Sequence, residues 1–340
     1  MKKLLQWLEI LGLTWFVPVI NFIQGDNRPY QAKCFLRMVG LPVLSIGVAL
    51  FTWHLIAIKV KLGTMTLPTP AVVYARMVEM TDEWQAERVR HGQYEASVQK
   101  MMKDNGLSDK DVREAMPYEQ KKIFVGQVWL SLKTAFTGVF LAVIIAVPIG
   151  VLCGLSTTIY EMFNPLIQVF KPVSPLAWFP VVYIFINKVM EGANNDGTFN
   201  KSFVIASLVV ALCALWPALL NTANGVANVE KDYLNVARVL NLPWYTRIWR
   251  IILPASVPAI FTGIRTSMGI GWMVLIAAEM MAVSPGLGGF IWDWYQSSNE
   301  IALSYLVLSV LVIGAIGFVI DRIMIAIQKS VSHGNAATIR

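Results

Sequence analysis

Two ionisable side chains stand inside the apolar run that spans residues 257–283: Arg265 and Glu279. As α-helix, the run would separate them by about 21 Å along its axis, too far for an ion pair. A carboxylate at mid-depth in hydrocarbon costs about 2.5–3.5 kcal/mol, so Glu279 needs a hydrogen-bond partner or a place near an interface. Arg265 either snorkels its guanidinium to the nearer interface or attracts an anion. No other chemistry assembles from the sequence. His54, His91 and His333 lie far apart without ligand-spaced partners, so a metal site is not expected. Cys34, Cys153 and Cys213 are odd in number, two of them within apolar runs, and read as small buried hydrophobes. There is no Gly-x-x-x-x-Gly-Lys-Ser/Thr phosphate loop. No catalytic residue is expected.

The elements that must position these residues are membrane helices. The 340 residues are 56% hydrophobic and only 14% charged, where a soluble domain carries nearer a quarter charged residues. The apolar residues fall in continuous runs of about the 20 residues that cross a bilayer as helix. The fold class is all-α, polytopic, with about six transmembrane helices. The expected organisation is an N-terminal segment 1–37, a first span 38–58, a helical extracytoplasmic insertion 59–128, a core 129–327 with five spans, and a tail 328–340. Within the core the spans are 129–155, a Pro-broken third, 202–221, 257–283 and 305–327. Residues 4–23 contain Glu9 and Pro18 and read as an amphipathic interfacial helix; a seventh span is the alternative.

Local signals mark the boundaries. Thr69-Pro70 starts a helix, Asn105-Gly106 ends one, and Ser108 with Asp111 resembles a capping box. Pro148 should kink the second span. Pro172, Pro175 and Pro180 break the third, freeing carbonyls that are tolerated at depth only against protein or a water-filled path. Gly263, Ser267 and Gly271 form a small-residue stripe that admits a close helix neighbour.

The net charge of +7 does not point to nucleic acid, because no compact basic cluster with interleaved aromatics occurs. It orients the chain instead. Lys231, Arg238, Arg247 and Arg250 flank one loop and Arg322, Lys329 and Arg340 the last span, whereas the loop before the last span has no basic residue. Both termini and the basic loop then lie in the cytoplasm. Lys59, Lys61, Lys121 and Lys122 fall outside, against the bias.

The basic loop has the layout NVARVLNLPWYTRIWRIILP, from Asn235 to Pro254. Asn241 can end a short helix in the left-handed conformation, and Pro243 stops its continuation. A second helix from Trp244 carries Trp249, Ile251 and Ile252 and should stop at Leu253-Pro254. The result is an apolar and basic knob suited to a partner's groove; an amphipathic helix at the headgroups is the alternative.

This spacing resembles the cytoplasmic loop of binding-protein-dependent ABC transporter permeases: Glu-Ala-Ala, three residues, Gly, and a closing Leu-Pro. Asn235-Val236-Ala237 stands at the triplet, Asn241 at the glycine, and Leu253-Pro254 at the close. Asn235 and Val236 depart from it, and the family's acid is missing. KPVSPLAWFP, LWPALLNTANGVANVEKDYLNVARVL, IFTGIRTSMGIGWMVLIAAEMM and GLGGFIWDWYQS are similar to the nitrate branch of the nitrate/sulfonate/bicarbonate permeases. The likeness runs from about residue 125 onward, plus the first span and LPTPAVV.

The resemblance implies a multi-pass permease of the bacterial inner membrane with a type I importer-like fold. It implies a homodimer of permeases on two ATPase subunits, fed by a periplasmic or lipid-anchored solute-binding protein. ATP and magnesium would sit on the ATPase, with no cofactor in this chain. Loop 223–256 would couple the two through Asn235, Val236, Ala237, Asn241, Pro243, Trp249, Leu253 and Pro254. Ser174, Trp178, Trp216, Asn221, Arg265 and Ser267 are the expected path lining. The implied cargo is nitrate or nitrite; taurine or alkanesulfonate, bicarbonate and cyanate are alternatives. An ion-coupled secondary transporter would want two matching halves, and a membrane enzyme would want clustered ionisable residues in the spans. Neither pattern occurs.

Overall fold

A computed structural model describes residues 28–59, 61–62, 65–105, 108–116, 123–191, 200–297, 299 and 301–337. The expected interfacial helix at 4–23 and the Gly106 turn lie outside the described residues.

Among the described residues the regular structure is helical apart from one hairpin. Helix α1 (Arg28–Phe35) runs through a π-helical turn, Leu36–Gly40, into α2 (Leu41–Lys59). Two-residue strands β1 (Lys61–Leu62) and β2 (Met65–Thr66) pair antiparallel. Helices α3 (Pro70–Asn105) and α4 (Asp109–Ala115) follow, then α5 (Phe124–Leu155), α6 (Thr157–Phe170), α7 (Pro175–Val189) and α8 (Lys201–Ala227). Next come α9 (Lys231–Val239), α10 (Trp244–Arg247), a π-helical turn Ile248–Ile252, α11 (Leu253–Met281), α12 (Leu287–Gln296) and α13 (Ala302–Ala337). Among the described residues five helical stretches are long and apolar enough to cross a membrane, or six with the pair α6–α7, bent by 99°, counted as one broken span. About six spans are what the sequence implies.

The core is a seam of three helices. Gly138, Gly150 and Gly154 on α5 lie against Ser207–Val210, Leu219–Thr222 and Ala223–Val226 of α8. A Cβ on any of them would come within 2.5–2.8 Å of α8 atoms. The offset between partners is the same at all three contacts, so α5 and α8 run parallel and in register. On α11 the order reverses: Ala259 meets Gly225, Gly263 meets Ala218 and Asn221, and Gly271 meets Val139 and Val210. Helix α11 is therefore antiparallel to both, and its small-residue stripe is the face that makes the contact. Ser267 donates to Ala214 O at 2.6 Å within the same seam. Helix α13 packs antiparallel to α11, with Trp272 Nε1 donating to Ile313 O at 3.1 Å and Gln328 to Thr262 Oγ1 at 2.8 Å.

Parallel α5 and α8 oblige the chain to recross the membrane between them, and only α6–α7 is available. Pro175 begins α7, with Ser174 as its N-cap accepting from Leu176 N–H at 3.3 Å. The break thus falls at Lys171–Ser174, inside the proline cluster.

Helix α3 starts at Pro70, with Val73 N–H bonded to Thr69 O at 3.1 Å. Its first turns belong to the core: Val73 and Met80 pack with Tyr305 and Leu308 of α13. Arg76 bonds Glu79 at 2.6 Å and lies over the Tyr305 ring. Ser108 takes the N-cap conformation of α4 but makes no capping bond, and Asp109 and Asp111 fill the first turn instead. Helix α4 folds back on α3. Arg113 grips Glu95 through two bonds of 3.0 Å and Asp109 through a third of 2.9 Å. Tyr94 reaches Met116 O at 2.8 Å.

Two tests follow from this packing. Gly150→Leu forces side-chain atoms into the Thr222 and Leu219 contact. It should destabilise the detergent-solubilised chain by about 1–3 kcal/mol, read as a lowered midpoint in thermal unfolding. The second concerns acid. The bonds from Arg113 hold the Glu95 carboxyl below its usual range. Its contribution is therefore present above the ordinary glutamate pKa and is lost as pH falls through the lowered value. Hydrogen exchange at the buried Val112 amide should be slow at pH 5 and accelerate beyond the intrinsic trend below about pH 4.

Candidate functional site

The basic loop builds a knob. Helix α9 ends where the sequence places its end: Asn241 has φ 48°, and Leu242 N–H bonds back to Ala237 O at 3.0 Å. Ala237 is fully buried, which pins the helix to the body of the molecule. Pro243 caps α10 and Arg247 reaches back to Leu242 O at 3.5 Å. Outward face Val236, Leu240 and Tyr245, with Val239 81%, Trp244 73% and Trp249 71% exposed. Asn235 and Arg250 are exposed beside them. On the other side Ile252 is buried with Val226 and Val229.

One expectation is corrected. Leu253-Pro254 does not stop the second helix. Trp244–Met281 forms one stretch of 38 residues. Long apolar helices of this chain carry proline elsewhere, at Pro148, Pro217 and Pro258, because packed neighbours and local adjustments of the turn satisfy the freed carbonyls. Here the adjustment is a π-helical turn, in which Leu253 N–H bonds to Ile248 O, one residue further back than in an α-helix. The knob and the span are therefore one lever.

At the far end of that lever, Glu279 is fully buried. Ser131 of α5 donates to its carboxylate, 2.7 Å from Oε2 and 2.9 Å from Oε1. Gly288 N–H donates to Oε2 at 3.0 Å, and Leu287 N–H donates to Ser131 Oγ at 2.8 Å. A carboxylate thus caps the N-terminus of α12, where both the free amides and the helix dipole favour negative charge. The SPGLGG sequence is what lets it in. A Cβ at Gly286 would collide with the Glu279 carboxylate, one at Gly288 with Ile276 O, and one at Gly289 with Ser284 O. The turn before it carries Val283 at φ 48°, a strained setting for a β-branched residue, closed by Ser284 N–H to Glu279 O at 3.0 Å. Glu279 has the hydrogen-bond partner that its depth demands. No sequence signal singled out Ser131.

The path residues scatter over several roles. Ser174 caps α7, and Ser267 is sealed in the α8–α11 seam. Asn221 donates back to Pro217 O of its own helix at 2.8 Å. Arg265 pairs with Asp321 of α13 at 2.9 Å, both half-exposed; neither snorkelling nor anion capture anticipated that partner. Asp321, an acid within an apolar run, was the available signal. Trp178 and Trp216 meet around Phe170 of α6, with ring centroids 5.7 and 6.3 Å from it. Among the described residues no group of His, Cys, Asp and Glu could hold a metal ion.

Residues 146–333, more than half the chain, match the sequence model of a family described as the binding-protein-dependent transport system inner membrane component. The chain belongs to that family. The permease is 36% identical over 204 residues to the bicarbonate transport system permease protein CmpB of Synechococcus elongatus, covering 60% of this chain and 68% of that protein. It is 34% identical over 198 residues to the nitrate import permease protein NrtB of Leptolyngbya laminosa, covering 58% and 65%. It is 30% identical over 207 residues to the taurine transport system permease protein TauC of Escherichia coli, covering 60% and 69%. The fold class read from the sequence, an all-helical permease of several spans, stands.

The carboxylate cap can be tested in the permease. Glu279→Gln keeps an oxygen acceptor and should retain most of the stability. Glu279→Leu strands the Gly288 amide, at about 1–3 kcal/mol for an orphaned buried group. Thermal unfolding in detergent should therefore order the chains wild type, Gln, Leu.

Proposed function

We propose that this permease is the membrane subunit of an ATP-driven importer of a small inorganic anion, nitrate first. It works as a homodimer on two separate ATPase subunits and receives its cargo from a solute-binding protein on the outer face of the bacterial inner membrane. The knob and both termini face the cytoplasm. ATP and magnesium are held by the ATPase, and this chain does no chemistry of its own.

The observation that carries the proposal is the α9–α10 knob. Three bulky side chains, Val239, Trp244 and Trp249, are more than two-thirds exposed, with Arg250 exposed beside them. Aromatic and arginine side chains are the usual anchors of a protein interface. Buried Ala237 and left-handed Asn241 fix the knob's angle, and the continuous helix from Trp244 to Met281 gives its motion a way into the membrane. That helix is about 57 Å long. ATPase closure would push the knob, tilt α11 against the α5–α8 seam, and shift α12 at the outer end. Support for nitrate is the sequence likeness in KPVSPLAWFP and the segments after it, together with relatives named for nitrate import. Bicarbonate is the second reading, favoured by the 36% identity to a permease named for bicarbonate transport. The exposed outer part of α3 with α4 would belong to the binding-protein docking surface. Deleting residues 76–119 is too blunt a probe of that, since Arg76 and Met80 pack on Tyr305.

Purified permease, ATPase and binding protein in vesicles should take up labelled nitrate in an ATP-dependent way and exclude taurine. ATP-driven uptake of bicarbonate with no nitrate uptake would replace the first reading by the second. Trp249→Ala should weaken ATPase association by roughly 30-fold, the loss expected of an interface anchor. Asn235→Glu should leave assembly intact or strengthen it.

A further inference from the structure

Among the described residues, two buried indole N–H groups find no acceptor: Nε1 of Trp178 and Nε1 of Trp216. The contrast is Trp272, whose N–H is satisfied by Ile313 O. Buried hydroxyls on Ser207 and Thr222 also lack partners. A hydroxyl, however, can rotate onto the carbonyl four residues back, as Ser256 does onto Ile252 O. An indole donates along one fixed direction and accepts nothing, so it has no such recourse.

The two tryptophans share one place. Phe170, the last residue of α6, packs against both, 5.7 Å from Trp178 and nearly parallel to Trp216 at 6.3 Å with planes 10° apart. Trp178 is in the first turn of α7, and Trp216 immediately precedes Pro217 in α8. The three rings therefore meet where the broken crossing α6–α7, bent by 99°, comes against the central helix. If bulk were the sole requirement, phenylalanine would serve at positions 178 and 216 without stranding two donors in a low-dielectric site.

We infer that Trp178 and Trp216 form an anion station in the permease, closed in this conformation by the Phe170 ring. Displacing Phe170 exposes two neutral donors to the passing ion. The class of ligand they suit is a small oxyanion that only accepts hydrogen bonds, such as nitrate or a sulfonate group. Bicarbonate carries an O–H donor that these rings cannot accept. Neutral donors also hold an anion weakly enough to release it, as a conducting path requires. This rests on the anion-import reading and deepens it.

The test uses the complete transporter in vesicles. Trp178→Phe and Trp216→Phe keep the rings and remove one donor each. Each should lower nitrate uptake roughly tenfold, the order expected for one lost bond to a charged group, while ATPase association is unchanged. The double variant should also lose preference for nitrate over bicarbonate. Wild-type rate and preference in the double variant would overturn the station. Should that variant fail to assemble, Phe170→Ala decides: nitrate flux without ATP supports the gate, and sealed vesicles overturn it. The two readings fail differently. A wild-type transporter that moves no anion sinks the importer proposal, whereas one that moves bicarbonate alone keeps the importer and sinks the station.

Discussion

The rest of the permease depends on one constraint, the backbone-to-backbone contact of α5 with α8. Lipid tails are as apolar as leucine, so helices in a bilayer gain little by burying apolar surface and associate by close packing. Gly138, Gly150 and Gly154 permit that approach, with α8 carbonyls and side chains where a Cβ would otherwise be. Because the contact is in register over three sites, the two helices must run the same way. A parallel pair cannot be joined by a short loop. The intervening chain has to cross back, and it does so through a helix broken at Lys171–Ser174. The break is thus a consequence of the seam, and the aromatic cluster sits at that break.

The antiparallel α11 completes the seam and links its two ends. At one end it continues unbroken into the exposed knob. At the other it presents Glu279 to α12. An acid buried at that place would be costly alone. Here it is held by the Ser131 hydroxyl and the Gly288 amide, and Ser131 takes up the Leu287 amide in turn. Removing solvent strengthens these bonds and makes each of them hard to give up. Helix α12 is thereby tied to α11 and α5 at once, so a tilt of the lever is felt at both ends. The π-helical turn before Pro254 is where the lever is least regular, and it lies beside the knob.

Much of this was legible in the chain. Apolar run length gave the helical, polytopic class and about six spans. Turn chemistry gave Asn241 its left-handed conformation and Pro70 its helix start, because both are set within a few residues. The Gly263–Ser267–Gly271 spacing gave a helix contact for the same local reason. The Leu253-Pro254 stop misled, because a proline inside a packed apolar helix is tolerated when its surroundings satisfy the freed carbonyl, as at Pro148, Pro217 and Pro258. Arg265 and Glu279 could be flagged as needing partners but not matched to them.

By itself, then, the sequence determined which segments are long and apolar enough to cross a membrane, where local turns fall, and that a basic aromatic knob adjoins one of those segments. These follow from the period, length and conformational limits of short stretches. Only the tertiary structure decided who meets whom: Glu279 with Ser131 and α12, Arg265 with Asp321, and Phe170 with both Trp178 and Trp216. Such pairings join residues far apart in the chain, and their choice rests on how closely whole helices approach, which no local pattern specifies.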